Sequence, residues 1–188
     1  MLGVTGDAKG AARRGLRAHR RELLGHRDRE ADARALAEAA VAAVRGHVGP
    51  GVCRVAAYEA RPTEPPTHRL IDALEAAGHE VVVPITLPDL SLDWTRPGPV
   101  VPLGAAALRT ARVVITPGLA VTRSGTRLGQ GGGSYDRALA GRGRGTLVVT
   151  LLYDDELVEG PLPADPHDMP VDAVITPGRG LVSCRPSG

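Results

Sequence analysis

Gly125-Thr-Arg-Leu-Gly-Gln-Gly-Gly-Gly-Ser-Tyr-Asp-Arg137 lies between an apolar run at 112–116 and a stretch of helical pattern at 134–140. A strand, a glycine-rich turn and a helix in that order form the repeating unit of α/β sheets, and such sheets place ligands at the turn. Working outward, residues 52–58, 81–83, 146–152 and 173–176 are further apolar runs of strand length, and 91–95 is a weaker one. Their apolar character is continuous rather than alternating, as in a sheet covered on both faces. Helical spacing of apolar residues marks 11–29, 31–45 and 67–77, with Gly78 standing where a C-terminal cap belongs. Pro84 is expected to stop the strand at 81–83, and 117–133 reads as one long loop. Strands alternating with helices predict an α/β three-layer sandwich, its sheet mainly parallel and helices on both faces. One domain over 1–188 is the expectation, with disordered tails at about 1–7 and 178–188.

Composition narrows the function. A net charge of +2 over 188 residues is too small to indicate a nucleic-acid partner. The arginine-rich run from Arg13 to Arg29, interrupted by Glu22 and Asp28, reads as a solvated helix face. Cys53 and Cys184 are far apart and lack metal-ligand spacing, which points to a reducing compartment. No apolar run approaches the roughly 18 residues of a membrane helix, and no secretion signal opens the chain. The reading is a cytoplasmic protein with no membrane partner. Phenylalanine is absent, leaving one tryptophan and three tyrosines, so the core must be aliphatic.

The glycine turn carries the chemistry. Gly129, Gly131, Gly132 and Gly133 let the backbone approach a ligand closely and present successive N–H groups to an anion. Arg127 suits phosphate oxygens in fork geometry, and Asp136, in the first turn of the following helix, suits a metal bridging phosphates. The turn lacks the Lys-Ser/Thr of a P-loop, and Ser134 stands where a dinucleotide fingerprint would place its last glycine. From the residues alone, a phosphate site follows and nothing finer. A phosphosugar-handling α/β enzyme and a bare glycine linker both stay open.

Pro117-Gly-Leu-Ala120, Gly125 and Arg127-Leu-Gly-Gln-Gly-Gly-Gly-Ser-Tyr-Asp-Arg137 together resemble the signature of 5-formyltetrahydrofolate cyclo-ligases. Lys9 with Arg13 and Leu16 resembles that family's N-terminal nucleotide-contacting helix. Tyr58 with Glu64, Thr67, Leu70 and Ile71 is similar to its substrate segment, and His167-Asp-Met-Pro-Val-Asp172 to its closing segment. The resemblance implies ATP and a reduced folate as partners and Mg²⁺ as cofactor. It implies nucleotide contacts from Lys9, Arg13, Arg127, Leu128, Gly129, Gln130, Gly131, Gly132, Gly133, Ser134 and Tyr135. It places Glu64 and Tyr135 on the folate, Asp136 and Asp168 on the metal, and Arg127 and Asp136 in catalysis.

The sequence departs from the family pattern at Gln130, where an aromatic or basic residue is usual, and at Ser134, where tyrosine is usual. Val121-Thr122 replaces Phe-Asp, and the connector around 99–107 is short. Each lost aromatic contact to a pterin would forfeit about 0.5–1.5 kcal/mol. A folate- or nucleotide-binding homologue with altered catalysis is therefore the alternative to an active cyclo-ligase.

Overall fold

The computed structural model describes residues 4–184, with side chains from Ala8 onward. Two long helices come first, α1 (Val4–Leu24) and α2 (Arg29–Val48). Asp28 caps α2, its carboxylate accepting from the N–H groups of Glu30 and Ala31. There follow β1 (Arg54–Ala56), α3 (His68–Ala76), β2 (Glu80–Thr86), β3 (Leu92–Thr95) and β4 (Ala111–Pro117). A 3₁₀ turn, Ala105–Thr110, precedes β4. Next come β5 (Ala120–Thr122), β6 (Arg127–Leu128), α4 (Ser134–Ala140), β7 (Leu147–Leu151), β8 (Leu157–Val158), β9 (Ala173–Thr176) and β10 (Gly180–Ser183).

Seven strands form one sheet in the order β10-β9-β7-β4-β1-β2-β3. Its five central strands run parallel, and β3 and β10 close the two edges antiparallel. Side chains alternate across it. Val55, Val81, Val83, Val113, Ile115, Val149, Leu151 and Ile175 meet Leu36, Ala40 and Val44 of α2 and Leu70 and Leu74 of α3 on one face. Val82, Val114, Val148 and Val174 face the other way, against Trp94, Leu108, Leu139 of α4 and Leu157. Two apolar faces on one strand give the unbroken valine and isoleucine runs seen in the sequence.

The sandwich is thus as expected, with one refinement: its second face is covered by α4, the 3₁₀ turn and a small sheet of order β6-β5-β8. That small sheet occupies much of what reads as loop in 117–133. Pro84 does not end β2. The strand continues to Thr86 and pairs with β3, because Pro84 lies past Val82, where the ladder with β1 stops. Of the expected tails, 1–3 and 185–188 lie outside the described residues. Gly180–Ser183 is ordered as β10, hydrogen-bonded to β9, and α1 begins at Val4. No helix among the described residues is long and apolar enough to cross a membrane.

Candidate active site

In chain order the five parallel strands β1, β2, β4, β7 and β9 lie side by side as 2-1-3-4-5. The order reverses between β1 and β4, so the segments leaving their carboxyl ends diverge and open a crevice. β1 leads into 57–67, which carries Tyr58 and Glu64, and β4 leads through Gly118 into the small sheet and the glycine turn. α1 crosses this edge. Lys9, Arg13, Arg17 and Arg20, spaced three or four apart on one helix face, all reach loops at the carboxyl end of the sheet. The result is a cleft of about 570 Å³ lined by both segments, the amino-terminal part of α1 and the loop carrying Asp165 and Asp168.

Arg127, only 5% exposed, is fixed by its neighbours. It donates to Asp136 Oδ1 at 2.8 Å and to the carbonyl of Pro117 at 3.2 Å, while its Nε is buried without a partner. A Cβ at 129 would sit 2.9 Å from the Arg127 guanidinium, so glycine there gives the arginine its course. Gly133 takes φ +65° as the residue before α4, a conformation glycine adopts without strain.

Lys9, the only lysine in the chain, is clasped by two acids. Its Nζ donates to Asp165 Oδ2 at 2.6 Å and to Asp168 Oδ2 at 2.5 Å. Burial alone would lower the lysine's pKa, but the bonds and charges of both carboxylates outweigh it and hold the ammonium above its ordinary range. Burial likewise works against the Asp168 charge. Hydrogen bonds from Lys9 and the Asp165 N–H prevail and hold that carboxyl below its usual value. Asp165, His167 and Asp168 offer one ligand atom each, all within 4.8 Å of one another.

Arg13 donates to the carbonyl of Gly129 at 3.0 Å, and Arg17 to that of Gln130 at 2.6 Å. The Gln130 amide in turn donates to Glu64 Oε1 at 3.1 Å, and Glu64 Oε2 accepts from the Arg61 N–H at 2.9 Å. Tyr58 and Tyr135 also line the cleft, and neither buried hydroxyl has a hydrogen-bond partner. Burial pushes both phenols well above the usual tyrosine range, and the Glu64 charge adds to it, so both are neutral O–H donors at physiological pH.

Crevice, glycine turn, fixed arginine and paired acids have the chemistry that suits a phosphorylated ligand with a hard cation. The 5-formyltetrahydrofolate cyclo-ligase family model matches residues 5–177. The chain belongs to this family. A 5-formyltetrahydrofolate cyclo-ligase of Mycolicibacterium smegmatis is 37% identical over 150 residues, 70% of this chain and 77% of that protein. The Escherichia coli K12 protein of the same name is 44% identical over 68 residues, 36% of this chain and 37% of its own length. The solved 5,10-methenyltetrahydrofolate synthetase of Aquifex aeolicus shares the fold, with a TM-score of 0.70 at 22% identity over 96% of this chain and 94% of that one. That of Mycoplasma pneumoniae gives 0.68 at 20% identity, covering 88% and 96%.

The residues that the cyclo-ligase resemblance selects all line the one cleft: Lys9, Arg13, Glu64, Arg127, each residue from Leu128 to Asp136, and Asp168. Its two proposed metal acids are placed differently. Asp168 belongs to the group with Asp165 and His167, whereas Asp136 stands outside that group and faces Arg127. A hydrogen bond from the Met169 N–H to Asp136 at 3.2 Å still joins Asp136 to the loop of Asp168. Carboxylate oxygens are the donors Mg²⁺ prefers, and Lys9 shows that a cation is stabilised there, so the donor set fits such an ion.

Sequence reading missed Arg17, Arg20, Glu156 and Asp165. The arginine run is no plain solvated face. Arg20 is 1% exposed and forms an ion pair with Glu156, itself 1% exposed, through bonds of 2.5 and 2.7 Å. The i, i+4, i+8, i+11 spacing of Lys9, Arg13, Arg17 and Arg20 was the available signal, since it puts four cations on one face.

Proposed function

We propose that this chain is an ATP- and Mg²⁺-dependent cyclo-ligase that converts 5-formyltetrahydrofolate to 5,10-methenyltetrahydrofolate, releasing ADP and phosphate. The carrying observation is one cleft, at the β1/β4 crevice, that joins the glycine turn and the cations of α1 to the carboxylate of Glu64. The N5-formyl group is an amide, whose oxygen is a weak nucleophile and a poor leaving group. In the proposed sequence that oxygen attacks the γ-phosphorus of ATP, the bond to the bridging oxygen breaks, and ADP departs. The resulting N5 iminophosphate is open to N10. The N10 lone pair adds to the former formyl carbon, N10 gives up its proton, and the carbon–oxygen bond breaks to release phosphate and the methenyl cation.

There is little covalent work for the protein in such a transfer, so positioning and charge neutralisation supply most of the rate. Arg127 is held ready by Asp136 and Pro117, with a buried N–H still unpaired. It would meet the transferring phosphoryl group, with Lys9 and Arg13 on the triphosphate and the N–H groups of 128–135 around it. Glu64 would take hydrogen bonds from the pterin, beside Tyr135. Mg²⁺, when bound by Asp136 and Asp168, would neutralise phosphate charge.

The test is the absorbance of methenyltetrahydrofolate, expected to appear only when 5-formyltetrahydrofolate, ATP and Mg²⁺ are present together. Asp136→Ala is expected to lower the rate by about 100-fold or more while circular dichroism stays native. Product formed without ATP, or turnover of a phosphosugar in its place, would overturn the assignment, and a fully active Asp136→Ala chain would rule out the metal role of Asp136.

A further inference from the structure

A three-residue bridge links the glycine turn to Glu64, and the ring-closing chemistry assigns it no part. Arg17, half-buried on α1, donates to the backbone carbonyl of Gln130 at 2.6 Å and to its side-chain Oε1 at 3.2 Å. The nitrogen of the same amide donates to Glu64 Oε1 at 3.1 Å. A guanidinium only donates and a carboxylate only accepts. An amide between them satisfies both in a single orientation, oxygen toward Arg17 and nitrogen toward Glu64. An acid, a lysine or an apolar side chain at 130 could not make both bonds. Glu64 is 4% exposed, and its second oxygen is held by the Arg61 N–H, so Gln130 completes its orientation.

We infer that Arg17 is a positioning residue that acts through Gln130 to couple occupation of the glycine turn to the folate-facing carboxylate of Glu64, so that nucleotide and folate bind with positive cooperativity. Arg17 lies one and two turns along α1 from Arg13 and Lys9, which face the same cleft. A triphosphate gripped by α1 and the turn together fixes Arg17 against Gln130, and hence the amide against Glu64. The ordering required by the second ligand has then been met by the first. This rests on the folate role proposed above for Glu64.

Calorimetric titration of 5-formyltetrahydrofolate, with and without a non-hydrolysable ATP analogue and Mg²⁺, reads the coupling directly. In the native chain the analogue should tighten folate about tenfold, and folate should tighten the analogue by the same factor, since linkage is reciprocal. In Arg17→Gln and in Arg17→Met the enhancement should fall below about twofold, while each ligand still binds alone. A purely structural role would weaken each ligand separately, or lower Tm, and leave the ratio at its native value. That result, or a native chain with no enhancement, overturns the relay. Failure of the native chain to bind folate at all would bring down the reading of Glu64 and the relay with it, whereas intact folate binding with unchanged coupling refutes the relay alone.

Discussion

Helices α1 and α2 are nearly equal in length, at 21 and 20 residues, yet different forces hold them. α2 lays Leu36, Ala40 and Val44 on the sheet, each with no exposed surface. α1 reaches its neighbours through Lys9, Arg13, Arg17 and Arg20, which bond to acids and carbonyls of the site loops. Apolar burial is non-directional and indifferent to ligands or ionisation. Charge-assisted bonds are directional, and a bound anion or cation can compete for them. The same length of helix therefore serves as core in one case and as part of the site in the other.

The sharpest way to break that contrast is at Arg20. Arg20→Met strands the buried carboxylate of Glu156 with only the Tyr153 N–H as donor. A loss of about 3–5 kcal/mol is expected in denaturant titration. The Glu156 carboxyl is pushed up by burial, though the bonds from Arg20 restrain it. Without Arg20 its neutral form becomes the cheaper one, so the deficit should shrink as pH falls. A deficit independent of pH would mean that packing, rather than charge, anchors α1 there.

Leu36→Ala tests the other helix and should cost about 2–4 kcal/mol through lost burial and the cavity left behind. That loss should be the same across pH and with nucleotide present or absent, once binding to the native state is accounted for. Tyr58→Phe is expected to raise the folate KM about tenfold and leave Tm unchanged or higher, because the hydroxyl it removes has no protein partner. A fall in Tm with an unchanged KM would make that hydroxyl structural. The smallest effect belongs to Glu80, whose carboxyl is held below its usual range by bonds from Arg54 and Arg96. A folded value below the unfolded one gives stability that is complete above the ordinary glutamate range and fades as pH falls through the lowered value. Glu80→Gln should therefore cost less than about 1 kcal/mol at neutral pH and nothing in acid.

The sheet was largely legible in the sequence because both of its faces are buried, which leaves runs such as 146–152 and 173–176 continuously apolar. The glycine turn was legible because few structures other than a ligand loop place Arg127, Tyr135 and Asp136 around four glycines between two apolar elements. β5, β6 and β8 were not, since strands of two or three residues are too short to show a period. β10 was hidden by its own alternation, with Leu181 and Ser183 more open than their neighbours on an edge strand. Arg20 escaped for a different reason. Whether a charge is buried depends on its partner, and Glu156 is 136 residues away. The family likeness pointed to Lys9, Glu64 and Asp168, which line one cleft, but the amide bridge at Gln130 arises from a residue that departs from the family pattern, so no likeness could have shown it.

Lys9 is the sole lysine, and Asp165 and Asp168 enclose its amine. Apart from the chain's α-amino group, reagents that acylate amines have therefore one target, and it sits in the cleft. Held between the two carboxylates, the amine is protonated and shielded, hence slow to react. The labelling rate at this single atom becomes a chemical gauge of whether α1 is docked, read by mass without any engineered probe.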